Sequence, residues 1–182
     1  MQRNDLLVWM DLEMTSLTDA RKDRIIEIAV VLTDAELNVV AEGPDIVIHA
    51  DASAFEDIPD NVLAIHKESG IIEQAIASTV SEGEAEQAVL AFLKGHVAEH
   101  SSPLCGNSIW VDRHFLRVRM PVIDRYLDYR VIDVSTIKEL AKRWDEDAFS
   151  KYSKTKKHRA KDDILQSIAE LKFWKKEFIR GE

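Results

Sequence analysis

The feature that most constrains this chain is a pair of apolar runs near its start. Leu6 to Glu13 is apolar on both faces at its beginning and becomes polar at its end. Ile25 to Thr33, with the sequence IIEIAVVLT, is rich in the β-branched residues that favour strands. Strands that are apolar on both faces lie inside a sheet with cover on either side. The two runs therefore predict the centre of a buried sheet.

The rest of the chain predicts further strands and helices. Asn38 to His49 is expected to form a third strand, connected through the short hairpin stretch DAEL. The other predicted elements are a helix from Pro59 to Ser69 ended by Gly70, a helix from Ser81 to Val97 with a capping box of Ser81 and Glu84, a strand from Pro103 to Cys105, a helix capped by Asn107 and ending near Met120, a strand from Arg130 to Val134, a helix capped by Ser135 and ending near Trp144, and a last helix from Ala160 to about Phe178. This order predicts a mixed sheet flanked by helices, an α/β fold.

Composition is ordinary for one globular domain. The 182 residues are 46% hydrophobic and 31% charged, enough to bury a core, and we expect residues 1–182 to form a single domain. The apolar run at the start is interrupted by Asp11, so we expect neither a signal peptide nor a membrane span. The single cysteine, Cys105, cannot form an internal disulfide and is expected to be a small buried residue. A reducing cytoplasm fits this cysteine usage best.

The charge distribution limits how the chain could hold nucleic acid. Its net charge is -9, whereas long phosphate backbones are held by many cationic side chains. The exception is Lys151 to Lys161, KYSKTKKHRAK, which has six Lys or Arg residues and no acid. This stretch could be only a solvated basic loop. Its place directly before a helix with two acids makes it a candidate part of a site.

The first candidate site residues are Asp11 and Glu13. Side chains two apart on a strand face the same way, so both carboxylates converge at the end of the buried strand, while Met10, Leu12 and Met14 face the other side. Such carboxylates repel each other unless a cation or hydrogen-bond donors compensate. Mg²⁺ and Mn²⁺ prefer oxygen ligands of this kind. Alternatively, Glu13 simply ends the strand and points to water.

Two later segments contain further candidate residues. Asp112 follows GNSIWV and could be a surface acid favoured by the helix dipole, or it could face Asp11. In the segment HRAKDD, His158 precedes a helix whose first turn contains Asp162 and Asp163. Acids in a first turn are favoured in any helix, so each segment alone is weak evidence for a site.

Taken together, the chain resembles the DEDDh exonuclease family of the ribonuclease H-like superfamily. The segments that carry the resemblance are WMDLEMTSL, CGNSIWVDRHFL, YRVIDVSTIKELAKRW and HRAKDDI. They match in order and spacing and cover essentially the whole chain, which implies a ribonuclease H-like mixed sheet flanked by helices. The residues that match the family's metal ligands are Asp11, Glu13, Asp112 and Asp163. Asp162 is one position off and is better read as a helix-start acid.

The resemblance implies two divalent cations, Mg²⁺ or Mn²⁺, and His158 as the catalytic general base. Two cations about 3.5–4 Å apart can activate water and stabilise the leaving oxygen. A histidine with a pKa near neutrality suits the removal of a proton from that water. The implied reaction is the 3′-to-5′ removal of nucleoside 5′-monophosphates.

The family members that this chain resembles act on very short RNA oligonucleotides, down to dinucleotides. The acidic net charge agrees with that substrate, because a dinucleotide presents few phosphates. The implied substrate-binding residues are Leu17 as a wedge between bases, Ser108, Arg130 and Ser135 around the terminal 5′ phosphate with His66 nearby, and Tyr129 reaching across a homodimer interface. Ser135 could instead only cap its helix, and Tyr129 could only fill the core.

Two departures from the family pattern bear on substrate binding. Ser16 stands where many members have glycine, and a positive φ there would cost strain. Asn61 stands where relatives often carry a tryptophan that stacks on a base, a contact worth roughly 1–3 kcal/mol.

Two other functions remain open at this point. One is an exonuclease for longer single-stranded DNA, which the acidic charge and the single-domain length disfavour. The other is a non-catalytic ribonuclease H-like domain that binds a partner. The complete set of four acids with His158 argues against the binding domain.

Overall fold

The computed structural model describes residues 2–153 and 159–179 of the chain. Five strands form one sheet in the order β3–β2–β1–β4–β5. The strands are β1 (Leu7–Met14), β2 (Ile25–Thr33), β3 (Val39–Val47), β4 (Leu104–Gly106) and β5 (Val131–Asp133). The pairs β1–β2 and β2–β3 are antiparallel, whereas β1–β4 and β4–β5 are parallel. The predicted mixed sheet is therefore confirmed, with β1 at its centre.

Helices surround this sheet. They are α1 (Asp60–Ser69), α2 (Ile71–Ala77), α3 (Glu82–His96), α4 (Trp110–Arg119), α5 (Pro121–Tyr126), α6 (Val134–Trp144), α7 (Glu146–Ser150) and α8 (Ala160–Trp174). A short 3-10 helix at Ala52–Phe55 precedes α1, and a π-helical turn at Lys175–Ile179 follows α8. Among the helices that the structure describes, none is long and apolar enough to cross a membrane.

The sheet is covered on both faces because its central strands are apolar on both sides. On one face, Met10 packs in a core that includes Leu93 of α3. On the other face, Trp9 packs with Ile168 and Trp174 of α8. All nine residues of β2 are buried. Successive side chains of β1 therefore alternate between the α3 side and the α8 side of the sheet.

The β2–β3 hairpin confirms the connection predicted from DAEL. The Asp34 carboxylate accepts hydrogen bonds from the backbone N–H groups of Glu36 and Asn38, both at 2.9 Å. Leu37 has a positive φ of 67°. A single acid thus closes the turn that brings β3 back beside β2.

Several local predictions are confirmed. Ser81 and Glu84 form the expected capping box at the start of α3. Gly70 ends α1 in the left-handed conformation, with φ of 69°. Cys105 is fully buried, and burial raises the pKa of its thiol. These features depend on neighbouring residues, which is why the sequence was sufficient to predict them.

Two predicted helix caps are wrong. The helix α4 begins at Trp110, and the Asn107 amide instead donates to Ser167 Oγ at 2.8 Å and to Glu170 Oε2 at 3.1 Å. The cap of α6 is Asp133, whose carboxylate accepts from the backbone N–H of Ser135 at 2.9 Å. Asn107 thus bonds to α8 instead of capping α4. The residue directly before α6, Asp133, caps that helix in place of Ser135.

Three short helices were not predicted, and the last helix is shorter than expected. The helices α2, α5 and α7 have seven, six and five residues, which is too short for an apolar period to be recognised. The α-helical hydrogen bonding of α8 ends at Trp174, not near Phe178.

Candidate active site

The site is built around the end of β1. Asp11 and Glu13 alternate with the buried Leu12, so their side chains lie on the side of the sheet that α8 covers. Asp163 lies in the first turn of α8. One ligand atom from each of these three carboxylates lies within 4.8 Å of the others. The fold thus brings together three of the four acids that the sequence singled out.

The fourth acid, Asp112, is not part of that three-residue group. It lies in the first turn of α4 with 6% of its surface exposed, and its Oδ1 accepts the backbone N–H of Leu12 at 3.0 Å. This N–H is available because β4 pairs with β1 only at Val8 and Trp9. Asp112 therefore binds the edge of β1 between the two strand carboxylates.

Gly106 allows α4 to start this close to β1. A Cβ at Gly106 would lie 3.1 Å from the carbonyl oxygen of Met10 and 2.8 Å from Ile109 Cδ1. Any larger residue would push the end of β4 away from β1. The glycine is therefore needed for the approach that places Asp112 beside the strand.

Burial raises the pKa of two of these acids, Glu13 and Asp112. Burial raises the pKa of Glu13 to about 8, and the negative charges of Glu27, Asp163 and Asp112 add to the shift, while Arg159 opposes it. Burial also raises the pKa of Asp112 to about 7, against the lowering effect of its hydrogen bond from Leu12. The folded chain holds these acids together at an electrostatic cost.

This arrangement fits a hard divalent cation. The donor set consists of carboxylate oxygens, the ligands that such cations prefer. A positive ion between Asp11, Glu13 and Asp163 would favour the ionised form of Glu13, which burial and the neighbouring negative charges disfavour. The residues present therefore match a metal centre.

Sequence reasoning missed Glu27 and Arg159. Glu27 lies directly across from Glu13 in the β1–β2 register and is 1% exposed. Arg159, the residue before α8, donates from Nη2 to Glu27 Oε1 at 2.6 Å. The signal for Glu27 was present, since it is the one charged residue in the apolar run IIEIAVVLT.

Two of the residues expected at the terminal phosphate, Ser108 and Ser135, lie together. The backbone N–H of Ser108 donates to Ser135 Oγ at 3.0 Å and to Asp133 Oδ1 at 2.9 Å. The two hydroxyls of Ser108 and Ser135 are 3.2 Å apart. Ser108 is exposed and has a positive φ of 50°. Asp133, which the sequence did not single out, organises this pair.

Leu17 and His66 lie near the end of β1. Leu17 follows the strand and is 61% exposed, as a residue that contacts bases would have to be. His66 is buried, and its Nε2 donates to the carbonyl oxygen of Met14 at 2.8 Å. This bond connects α1 to the last residue of β1.

Tyr129 and Arg130, directly before β5, form an exposed pair. Tyr129 is 75% exposed, so it does not fill the core, and the Arg130 guanidinium lies 4.3 Å from its ring centre. Ser16 is not among the described residues with positive φ, so its replacement of glycine carries no backbone strain. Asn61 lies exposed on α1.

His158 and the segment 154–158 lie outside the described residues. The expectation that His158 is the general base therefore stays a prediction. The two ends of this basic stretch are described, and Arg159 belongs to the contact with Glu27 noted above.

The role of Asp112 can be separated from its support of β1 by two substitutions. Asp112→Asn keeps an oxygen for the Leu12 N–H, whereas Asp112→Ala leaves that buried donor unpaired, at a cost of about 1–3 kcal/mol. Both variants are expected to lose metal-dependent cleavage, but only the alanine variant should lose stability to urea. Equal stability of the two variants would contradict this assignment of the hydrogen bond.

The fold and its acidic cluster define a class of nuclease, and comparisons with known proteins identify it. A model of the exonuclease family RNase_T matches residues 8–171. Among solved structures, Escherichia coli exonuclease I bound to a 5cy-dT13 oligonucleotide superposes with a TM-score of 0.70 at 16% identity. The chain covers 42% of that exonuclease I chain, and 99% of this chain is aligned. That likeness shows a shared fold.

Relatives of similar length are more specific. The oligoribonuclease of Halorhodospira halophila is 51% identical over 174 residues, covering 96% of this chain and 94% of that protein. The oligoribonuclease of Escherichia coli K12 is 47% identical over 174 residues, covering 96% of each. The chain therefore belongs to the DEDDh exonuclease family, in its oligoribonuclease branch.

Proposed function

We propose that this protein is a divalent-metal-dependent 3′-to-5′ exoribonuclease that degrades very short RNA oligonucleotides to nucleoside 5′-monophosphates. The observation that carries the proposal is the convergence of Asp11, Glu13 and Asp163 from β1 and α8, beside Asp112. Oligoribonucleases of nearly equal length support the substrate class. Residues 1–182 would then act as one exonuclease domain.

The four acids would hold two divalent cations, Mg²⁺ or Mn²⁺. Asp11, Glu13 and Asp163 lie close enough together to share an ion, and Asp112, whose Oδ1 accepts from Leu12, would offer its second oxygen. When bound, such ions neutralise phosphate charge and lower the pKa of water. His158 would accept the proton of the attacking water, which is a task for a group that titrates near neutrality.

Binding of the substrate terminus is assigned to the residues near β4 and β5. The hydroxyls of Ser108 and Ser135 lie together on the surface and can donate to a terminal 5′ phosphate, and the exposed Arg130 supplies positive charge. Leu17 would contact bases through its exposed side chain. His66, buried behind β1, would support the strand end rather than reach solvent.

A homodimer is part of the same proposal. Tyr129 and Trp110 are 75% and 66% exposed and line one cavity of about 410 Å³ with Val131. Large aromatic side chains are enriched at protein interfaces. If a second copy covers this region, Tyr129 of one protomer would reach the substrate bound to the other. The proposed location is the cytoplasm, where the single cysteine would stay reduced.

The decisive experiment compares two labelled RNAs. With Mn²⁺ or Mg²⁺, we expect a dinucleotide to be cleaved to monophosphates. We expect this cleavage to be faster than that of a strand of about 20 nucleotides, because an acidic protein surface binds a long phosphate backbone weakly. Addition of a chelator should stop the reaction, and excess metal should restore it.

Two results would overturn the proposal. An absence of metal-dependent cleavage would remove the enzymatic assignment. Faster cleavage of the long strand, or of the matched single-stranded DNA, would favour the alternative exonuclease. Glu73→Gln is a useful control, because this acid is exposed on α2 and its replacement should leave the metal dependence unchanged.

A further inference from the structure

Glu27 is a buried acid that the proposed reaction does not use. It is the third residue of the largely apolar β2, lies opposite Glu13 and is 1% exposed. A buried carboxylate costs free energy unless it is paired and hydrogen-bonded. Glu27 is therefore expected to have a task that a neutral residue could not perform.

Among the described residues, the hydrogen-bond partners of the Glu27 side chain lie at the start of α8. Its carboxylate accepts from Arg159 Nε at 3.0 Å and Arg159 Nη2 at 2.6 Å. It also accepts from the backbone N–H of Ala160 at 3.0 Å. One acid on β2 thus fixes both the residue before the helix and its first residue.

This contact determines where Asp163 can lie. The backbone N–H of Asp163 bonds to the carbonyl oxygen of Arg159 at 2.9 Å, which closes the first turn of α8. Asp163 is consequently one helical turn from the residues that Glu27 holds. A shift of that turn would carry the Asp163 carboxylate away from those of β1.

A second ion pair at the same helix start differs in its surroundings. Lys161 contacts Glu42 of β3 at 2.7 Å, with side-chain exposures of 38% and 53%. Exposed pairs of this kind contribute about 0–1 kcal/mol. The Glu42 pair therefore offers a matched control for the buried Glu27 pair.

The charges of Glu27 and Arg159 oppose each other at the metal cluster. The negative charge of Glu27 disfavours the ionised form of Glu13, and the positive charge of Arg159 favours it. Because the effect of Glu27 is the larger of the two, a test of geometry has to use substitutions that keep both charges. A buried ion pair is also weak evidence for added stability.

We propose that Glu27 and Arg159 are positioning residues that hold the first turn of α8 against β2 and thereby place Asp163 for metal binding. The inference rests on the proposed function only in taking the cluster as a metal centre. Residues that orient metal ligands typically change metal affinity or activity about 10–100-fold when replaced. We expect that range here.

The test uses substitutions that keep every charge but change the geometry. Glu27→Asp shortens the acidic side chain. Arg159→Lys replaces the two guanidinium nitrogens that donate to Glu27 by a single ammonium group. Each is expected to weaken Mn²⁺ binding to the metal-free protein about 10–100-fold by calorimetry. The concentration of Mn²⁺ that half-activates cleavage of an RNA dinucleotide should rise in parallel. The controls Glu42→Asp and Lys161→Arg should stay within about threefold of the native protein.

Each outcome decides the proposal. If Glu27→Asp and Arg159→Lys both fold and bind Mn²⁺ as tightly as the native protein, the proposal is wrong. It is also wrong if Glu27→Gln binds Mn²⁺ more weakly while these two charge-conserving variants do not, because that pattern indicates a charge effect. If Glu27→Asp does not fold by circular dichroism, Arg159→Lys alone decides. A native protein that binds Mn²⁺ but cleaves no RNA would refute the proposed function, while the calorimetry would still test the positioning role.

Discussion

Replacing Glu13 with glutamine is expected to remove nearly all nuclease activity while leaving the fold at least as stable as the native protein at neutral pH. Glutamine keeps the shape of the side chain but replaces one of the three clustered carboxylates by a poor ligand for a hard cation. A lost contribution of several kcal/mol from the metal corresponds to a fall in rate of roughly 10²–10³-fold. The measurement is cleavage of a labelled RNA dinucleotide at saturating Mn²⁺.

The stability expectation follows from the pKa of Glu13. Burial, with the charges of Glu27 and Asp163, raises this pKa from 4.5 to about 8. The unfolded chain then binds fewer protons than the folded chain between these two values, so the free energy of unfolding falls as pH rises through this window. Glutamine, like the protonated acid, carries no charge and avoids this loss.

The check is urea denaturation with a chelator present, at intervals from about pH 5 to about pH 8. The native protein should lose stability with rising pH, and Glu13→Gln should show a shallower dependence. Glu73→Gln, which removes an exposed acid on α2, should follow the native curve. A Glu13→Gln protein that is less stable than the native protein at neutral pH would contradict the argument, and so would retained nuclease activity.

The loss of activity and the gain in stability expected for Glu13→Gln have a common origin. Asp11, Glu13 and Asp163 repel one another in the metal-free fold, and the same proximity makes them suitable for a cation. Sites of this kind commonly trade stability for function. The rest of the fold offsets this cost through the buried strand β2 and the apolar contacts of α8.

Much of the fold could be predicted because its signals are local. The apolar runs of β1 and β2 and the capping box of α3 depend on residues close in the chain. The sheet order could not be obtained in this way, because β4 and β1 pair across nearly 100 residues, as between Leu104 and Val8. The helices α2, α5 and α7 are too short to show a period.

The site residues, too, could be predicted from the sequence only where the signal is local. Asp11 and Glu13 were predictable because strand alternation places them on one face. The bond from Leu12 to Asp112 spans 100 residues, so no local pattern reveals it, and Asp112 was assigned by resemblance. Glu27 was missed because a single acid in an apolar strand indicates a buried partner without saying which one.

The second large effect concerns His158, which lies outside the described residues and is assigned from the sequence. Replacing it with alanine is expected to lower the rate of RNA dinucleotide cleavage about 10²–10⁴-fold, the range for loss of a general base. Metal binding should be retained, because the proposed ligands are carboxylates and the first turn of α8, which carries Asp163, is held through Arg159. Calorimetry with Mn²⁺ in the absence of substrate measures this directly.

A parallel loss of Mn²⁺ affinity in His158→Ala would instead make the histidine a metal ligand or a support for α8. The matched control is His100→Ala, since this imidazole is exposed and its ion-pair partner among the described residues is the neighbouring Glu99. Combining His158→Ala with Arg159→Lys separates the two tasks further. If one residue accepts the proton and the other positions Asp163, the double variant should show the rate loss of the first at saturating Mn²⁺ and the affinity loss of the second in calorimetry, because the two losses concern different steps.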